Sequence, residues 1–467
     1  MQMLEIIIFL LGLGLIGFTI QNKAINKHYI IPLFVSIGIL ILLHSLFGNV
    51  RWQYYPFYSA IFLLCIMIYL KSIMDTTPKK FIRSLLFIGV FLLFFISGTT
   101  QIVFPVYDIP TPTGQHLIGT ESFIIEDDTR IELYSTDDND MRRIKIQIFY
   151  PAETTEGYEK ALWLEDGQAI ARGLSKDMGF PFFTLDHTAD ILSNSYLNAP
   201  ISEKEESYPL IILSHGWRGF RNLHTDYAEE LASIGYIVVA IDHTYGSVAT
   251  VFNDEVVYVN KDALPARETT PNFLDYANQL VSTYAADITT TLNYLEVMNA
   301  TTSSRFHNKL DLSTIGLIGH STGGGAGVEV ALKDSRINAI IGLDAWVEPI
   351  ESTEIDIGLT IPSLFLRSEM WETGPNNTTL YTLIDNSESM ASLYQIDGTT
   401  HYDFAMVYMY SPLTKQIGFS GELDSKYLND MLKTMITNFF DETLMNQRVE
   451  DIEIGSWEEV KEVTWEK

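Results

Sequence analysis

The sequence predicts a mostly parallel α/β sheet, wound with helices on both faces, preceded by four transmembrane helices. Three observations carry this. The first hundred residues hold four apolar runs of spanning length. From about residue 116 onward, short apolar runs alternate with helical patterns, as in a parallel sheet with crossover helices. The charge divides at the same place. Through Thr100 the chain has seven basic and two acidic residues. That leaves 23 of the 30 basic and 57 of the 59 acidic residues for the remainder, a net charge of −34. So acidic a region excludes nucleic-acid binding through phosphates and favours solubility in a salty medium.

The apolar runs cover residues 4–20, 30–47, 54–70 and 84–103. Each is near the ~20 residues that cross ~30 Å of hydrocarbon at ~1.5 Å per residue. The first lacks a basic start and a small-residue cleavage site, and more runs follow, so it reads as a retained span rather than a signal peptide. Lys23 and Lys27 follow the first run, and Lys71, Lys79, Lys80 and Arg83 follow the third. Arg51 alone follows the second. Positive loops stay in the cytoplasm. The expectation is a multi-pass cell-membrane protein whose chain returns outside at Gln101, leaving the soluble part extracytoplasmic. His44 reads as the one ionisable group deep in a span, a neutral imidazole near the outer interface rather than part of a proton path. The single cysteine, Cys65, lies in the third run. The soluble part therefore has no disulfide framework or cysteine-based zinc site, and the composition suits an exported bacterial chain.

The expected organisation is a transmembrane region over 1–104, a linker over 105–115, an α/β domain over 116–446 and an acidic, loosely held tail over 447–467. Pro105, Pro110, Pro112 and Gly114 mark the linker. Strands are expected at 116–126 and 143–150, joined by an Asp-rich turn, then at 209–213, 236–241, 312–318, 337–343, 362–367 and 392–396. The run 236–241 is continuously apolar, as in a strand buried on both faces. Helices are expected at 226–233, 271–298, 323–333 and 423–440. Residues 158–202 interrupt the sheet pattern. With Leu162, Trp163, Leu164, Phe180, Phe182 and Phe183 they read either as a cap insertion lining a pocket or as helices packed on the body.

The strand at 312–318 runs into Gly319-His320-Ser321-Thr322-Gly323, and a helix follows. Such a strand–turn–helix presents a serine on a strained elbow, where small flanking residues are required. A bare G-x-S-x-G is weak, and its setting gives it weight. A serine hydroxyl needs a base to remove its proton. The one histidine after the elbow is His401. Asp344 ends the next strand, where a carboxylate points into the crevice and can hold the histidine tautomer. Glu348, Asp397 and Asp403 are its rivals. An oxyanion needs two backbone N–H donors. Thr322, next to the serine, supplies one. The loop after Ser214-His215-Gly216 supplies the other, from Trp217. His215 and His320 read as packing residues. No His/Asp/Glu cluster has metal spacing, so neither metal nor cofactor is implied.

Taken together, these motifs resemble the plasma-type platelet-activating factor acetylhydrolase family of α/β-hydrolases. The matching residues are Pro110-Thr111-Pro112-Thr113-Gly114 with Gly119, and Ile148-Phe149-Tyr150-Pro151-Ala152. Further on come Tyr208-Pro209-Leu210 with Ser214-His215-Gly216 and Phe220-Arg221, then Gly319 through Gly325, Leu343-Asp344-Ala345-Trp346 and His401-Tyr402-Asp403-Phe404. The resemblance covers nearly all of 110–440 and implies an α/β-hydrolase fold. It places the nucleophile, acid and base on Ser321, Asp344 and His401 and the oxyanion donors on Trp217 and Thr322. It implies short-acyl phospholipids or small esters as substrates. The sequence departs from the family pattern at Trp217, where a smaller apolar residue is usual, and in its four-span anchor. Two competing readings are a non-enzymatic membrane receptor that uses the fold to bind a ligand, and a hydrolase of thioester or peptide bonds.

Overall fold

A computed structural model describes residues 3–20, 27–48, 50–73, 80–253, 255–445 and 456–465. The chain forms two compact units, Met1–Val106 and Tyr107–Lys467. The first contains helices α1 (Met3–Ile20), α2 (Lys27–Phe47), α3 (Tyr54–Ile73) and α4 (Lys80–Val103). Among the described residues, three stretches are long and apolar enough to cross a membrane: His28–Phe47, Tyr54–Ile73 and Phe81–Val103. The apolar part of α1, Leu4–Ile20, is shorter. Three spanning helices are therefore supported where four were expected. His44 is buried here, with its Nδ1 2.5 Å from the Tyr58 hydroxyl and its Nε2 3.8 Å from the Glu5 carboxylate. It is thus not the lone ionisable group in the bundle, because Glu5 meets it from another helix.

The second unit contains, in order, β1 (Leu117–Ile131), β2 (Met141–Ala152), β3 (Lys160–Leu162), α5 (Gln168–Asp177), β4 (Leu192–Leu197), β5 (Tyr208–Ser214), α6 (Thr225–Ile234), β6 (Ile237–Asp242), β7 (Ala249–Phe252), β8 (Glu255–Tyr258), α7 (Phe273–Ala300), β9 (Leu310–His320), α8 (Thr322–Lys333), β10 (Ile337–Leu343), α9 (Ser352–Ile355), β11 (Ser363–Ser368), α10 (Pro375–Asn386), β12 (Ala391–Ile396), α11 (Ser425–Thr443) and β13 (Val460–Glu462). Eleven strands form one sheet in the order β13-β12-β11-β10-β9-β5-β6-β2-β1-β4-β3, and β7 and β8 form a separate hairpin. The six neighbours from β12 to β6 run parallel. Antiparallel β2 and β1 extend one side, and antiparallel β13 closes the other.

The period-2 geometry of strands explains the two-sided core. Leu210 and Ile212 of β5 join Val239, Leu317 and Ile340 beneath α7 and α8. Ile211 and Leu213 point the other way, joining Val238, Ile318 and Ile341 beneath α6 and α11. Strand order reverses between β5 and β9. From β5 the chain builds outward through β6, and later returns to the opposite side of β5 with β9. Crevices at the carboxyl ends of such a pair are where ligands bind in open α/β sheets.

Three segments depart from the sequence expectations. The proline-rich stretch read as a linker is pinned to α6. Thr113 N donates to Glu230 at 3.2 Å, Gly114 N donates to Ser233 Oγ at 3.0 Å, and His116 N donates to the Ser233 carbonyl. Residues 158–202 do not simply interrupt the sheet, since β4 pairs with β1 and β3 pairs with β4. Within them Trp163 is buried, donating its indole N–H to the Asn222 carbonyl at 2.7 Å, whereas Phe182 is exposed. The expected loose tail lies partly outside the described residues. Its far end is held: β13 pairs with β12, and Trp465 stacks on Tyr381 at 4.4 Å.

Candidate active site

The turn between β9 and α8 puts Ser321 at φ 56°, ψ −120°, a conformation that L-residues other than glycine rarely adopt. Three hydrogen bonds hold it there. Ser321 N donates to the Leu343 carbonyl at 2.9 Å, and the Ser321 carbonyl accepts from Trp346 N at 2.9 Å and Gly325 N at 3.0 Å. The sequence around it is small because the backbone on both sides is close. A side chain at Gly323 would run into the Ser214 and His215 carbonyls, and one at Gly216 would come within 2.8 Å of Ser321 Cβ. The serine is therefore wedged between the end of β9 and the loop after β5.

Asp344 follows β10 and also has a positive φ, 42°. Its carboxylate is buried and fully engaged. Oδ1 accepts from Ser368 N at 2.7 Å. Oδ2 accepts from Ser368 Oγ at 2.6 Å and from His401 Nδ1 at 2.9 Å. The carboxylate selects the Nδ1-protonated imidazole and leaves Nε2 as the basic nitrogen. Of the rival acids, Asp403 closes the turn that carries His401, accepting from Thr400 N and Gly421 N. Asp397 is ion-paired with Lys461. Glu348 pairs with Arg267 at 2.5 Å. None of the three engages the imidazole.

Ser321 and His401 line one cleft of about 860 Å³, together with Gly216, Trp217 and Thr322. Aromatic side chains including Trp217, Phe273, Trp346, Trp371 and Phe180 line it together with charged Asp177, Arg218, Arg267 and Glu348. Of the aromatic and leucine residues singled out in 158–202, Phe180 reaches the cleft, accompanied by Leu174 and Met178. Thr322 opens α8, so its N–H is one of the first-turn donors that a helix leaves without an internal acceptor. Trp217 sits in a turn closed by Gly219 N on the Gly216 carbonyl at 2.9 Å.

That turn rests on polar groups that sequence reasoning missed. His215 Nδ1 donates to the Gly216 carbonyl at 2.7 Å, and its Nε2 accepts from Ser247 Oγ at 2.9 Å. His215 therefore fastens the loop as well as packing. Beneath it, Ser214 Oγ donates to His243 Nε2 at 2.9 Å and His243 Nδ1 donates to Asp287 at 2.9 Å. Arg142 grips the same carboxylate through Nε at 3.0 Å and also binds Glu132 at 2.6 Å. Burial alone would raise Asp287, but Arg142 and His243 override it and hold the carboxyl well below the usual range. Burial lowers His243, His215 and His320, and takes His224 down to about 3, so these rings are neutral. The sequence signal for this layer was weak. His243, at the end of β6, and Asp287, inside α7, stand 44 positions apart and share no local motif. Among the described residues, no group of three or more His, Cys, Asp or Glu side chains could hold a metal.

Residues 101–462 match the family model described as platelet-activating factor acetylhydrolase, isoform II. The chain is similar to the platelet-activating factor acetylhydrolase of Cavia porcellus, 24% identical over 314 residues, covering 62% of this chain and 69% of that protein. The chicken (Gallus gallus) protein of the same name is 25% identical over 64% of this chain and 74% of its own. The Canis lupus familiaris protein is 26% identical over 56% of this chain and 62% of its own. Among solved structures, a ferulic acid esterase from Streptomyces cinnamoneus superimposes with a TM-score of 0.61, covering 77% of this chain and all of that one at 21% identity. That likeness concerns the mixed α/β fold.

Proposed function

The chain belongs to the platelet-activating factor acetylhydrolase family, and from that membership we propose that it is a serine carboxylic-ester hydrolase with an α/β-hydrolase fold. Ser321 is the nucleophile, His401 the general base and acid, and Asp344 the residue that fixes the His401 tautomer. The observation that carries this reading is the 2.9 Å hydrogen bond from His401 to Asp344 beside a cleft that also holds the strained Ser321. Ser321 Oγ attacks the ester carbonyl as its proton passes to His401 Nε2. The tetrahedral oxyanion accepts from the Trp217 and Thr322 N–H groups. The imidazolium returns the proton to the leaving alcohol, and water activated by the same ring then releases the acyl group. Substrates are short-acyl phospholipids or similar small esters, in keeping with the relatives' names and a cleft that offers both aromatic and charged side chains. The test is p-nitrophenyl acetate turnover by the purified chain and by Ser321→Ala. A loss of about 10⁴–10⁶-fold is expected, and equal rates would sink the assignment.

The membrane part is read as four spans, with α1 the shortest, and the unit 107–467 outside the cell. Support comes from the loop charges. Protease added to intact cells should then remove the catalytic unit, whereas complete protection would reverse the orientation.

A further inference from the structure

His401 is tied at Nδ1 to Asp344 and at its main-chain carbonyl to His320 Nε2, 3.0 Å away. A single ring hydrogen bond leaves an imidazole free to rock about the Nδ1···Oδ2 axis, and that rocking would carry Nε2 out of line with a nucleophile. Trp371 blocks it. Its ring lies flat on the imidazole, with centroids 4.5 Å apart and planes 3° from parallel. The turn that carries it, Glu369–Trp371, is clipped in place from two directions. Asn377 Nδ2 donates to the Trp371 carbonyl at 3.1 Å and the Glu372 carbonyl at 2.8 Å, while Asn377 Oδ1 accepts from the buried Arg367 at 3.0 Å. From the other side, the Glu369 carboxylate accepts from Gly398 N at 2.6 Å and Met370 N donates to the Thr399 carbonyl. The turn is thereby fastened to the segment that bears His401.

The surroundings give this stack electrostatic weight. The titratable groups around His401 are Asp344, His320 with His224 behind it, Tyr402 and Asp403 on its own turn, and Glu369 on the facing turn. Burial holds His320 and His224 neutral. The Asp403 and Glu369 carboxylates accept from backbone N–H groups rather than from the imidazole. The groups in direct contact with the ring that favour its charged form are Asp344 on its edge and an indole on its face, since an indole face attracts a cation.

Resting on the triad reading above, we propose that Trp371 is a positioning residue for the reaction. It fixes the plane of the His401 ring and stabilises the imidazolium formed when Ser321 gives up its proton. The experiment follows kcat and KM for p-nitrophenyl acetate against pH in the full-length chain, with Trp371→Leu, Trp371→Phe and His401→Ala alongside. In Trp371→Leu the low-pH limb of kcat/KM should move down by about half to one pH unit and the plateau kcat should fall about tenfold, with KM for this small ester within about twofold. Trp371→Phe, which keeps an aromatic face, should show a smaller shift of the same sign. A limb that stays in place in both variants overturns the proposal, whatever happens to kcat. Should Trp371→Leu not fold, Trp371→Phe decides alone by the same limb. Wild-type turnover in His401→Ala would instead sink the triad assignment, independently of the Trp371 variants.

Discussion

The second unit contains two Ser/His/Asp sets, and they are opposites: the buried one is hydrogen-bonded throughout, while in the proposed catalytic one the bond is that from His401 to Asp344. Ser321, His401 and Asp344 meet at a cleft. The serine is held at a strained φ, and the histidine ring is partly exposed. Ser214, His243 and Asp287 lie fully buried beneath the turn that carries Trp217, with bonds of 2.9 and 2.9 Å. The bond from histidine Nδ1 to the aspartate is the same in both, 2.9 Å. What differs is access and counter-charge. The first carboxylate is met by neutral Ser368 donors, so the imidazolium would be its only cation. The second is already paired with both Arg142 and Arg130, which weakens the incentive for His243 to take a proton. Hydrogen-bond geometry alone therefore does not define a catalytic set. The proposed catalytic set differs from the buried one in its open approach to the serine and in an acid with no arginine partner.

Replacing each aspartate by asparagine separates the two sets most sharply. Asp344→Asn should lower ester turnover by about 10⁴-fold, since the amide no longer fixes the tautomer, and should move the thermal midpoint little. Asp287→Asn should do the reverse. It leaves Arg142 buried with half its partners and should cost about 3–5 kcal/mol of stability, read by denaturant unfolding, while turnover per folded molecule stays near wild type. The pH dependence of that loss has a definite sign. Asp287 is depressed in the folded state, so its contribution is present above the unfolded carboxyl value near pH 4 and disappears as pH falls through the folded one. The gap between wild type and variant should be widest near neutrality and close below about pH 4. Stability loss without this narrowing would remove the electrostatic account of the buried set.

Much of the fold was legible because its central strands are continuous apolar runs. Residues 236–241 and 337–343 need no pattern finer than hydrophobicity to be read as buried strands. The proposed set of Ser321, Asp344 and His401 was read from chain order and position after strands, and the structure hydrogen-bonds Asp344 to His401 and places Ser321 in the same cleft as His401. Other features were silent for physical reasons. Strand β4 carries Ser193-Asn194-Ser195, residues that favour turns, at its centre, and its pairing with β1 is supplied by tertiary context. The spanning helices were counted by apolar length, and Leu4–Ile20 is where that count is least secure. Trp371 carries no motif. Its meaning comes from a ring 30 positions later in the chain.

Strand β13 gives the molecule a property that belongs to its synthesis rather than its chemistry. β12 gains its second neighbour from a segment more than sixty residues downstream. Until Val460–Glu462 is made and delivered, the sheet ends in an unpaired row of backbone donors and acceptors, the kind of edge that recruits other strands. Chain order thus sets a window of vulnerability during biogenesis, and the last strand to arrive is the one that shuts it.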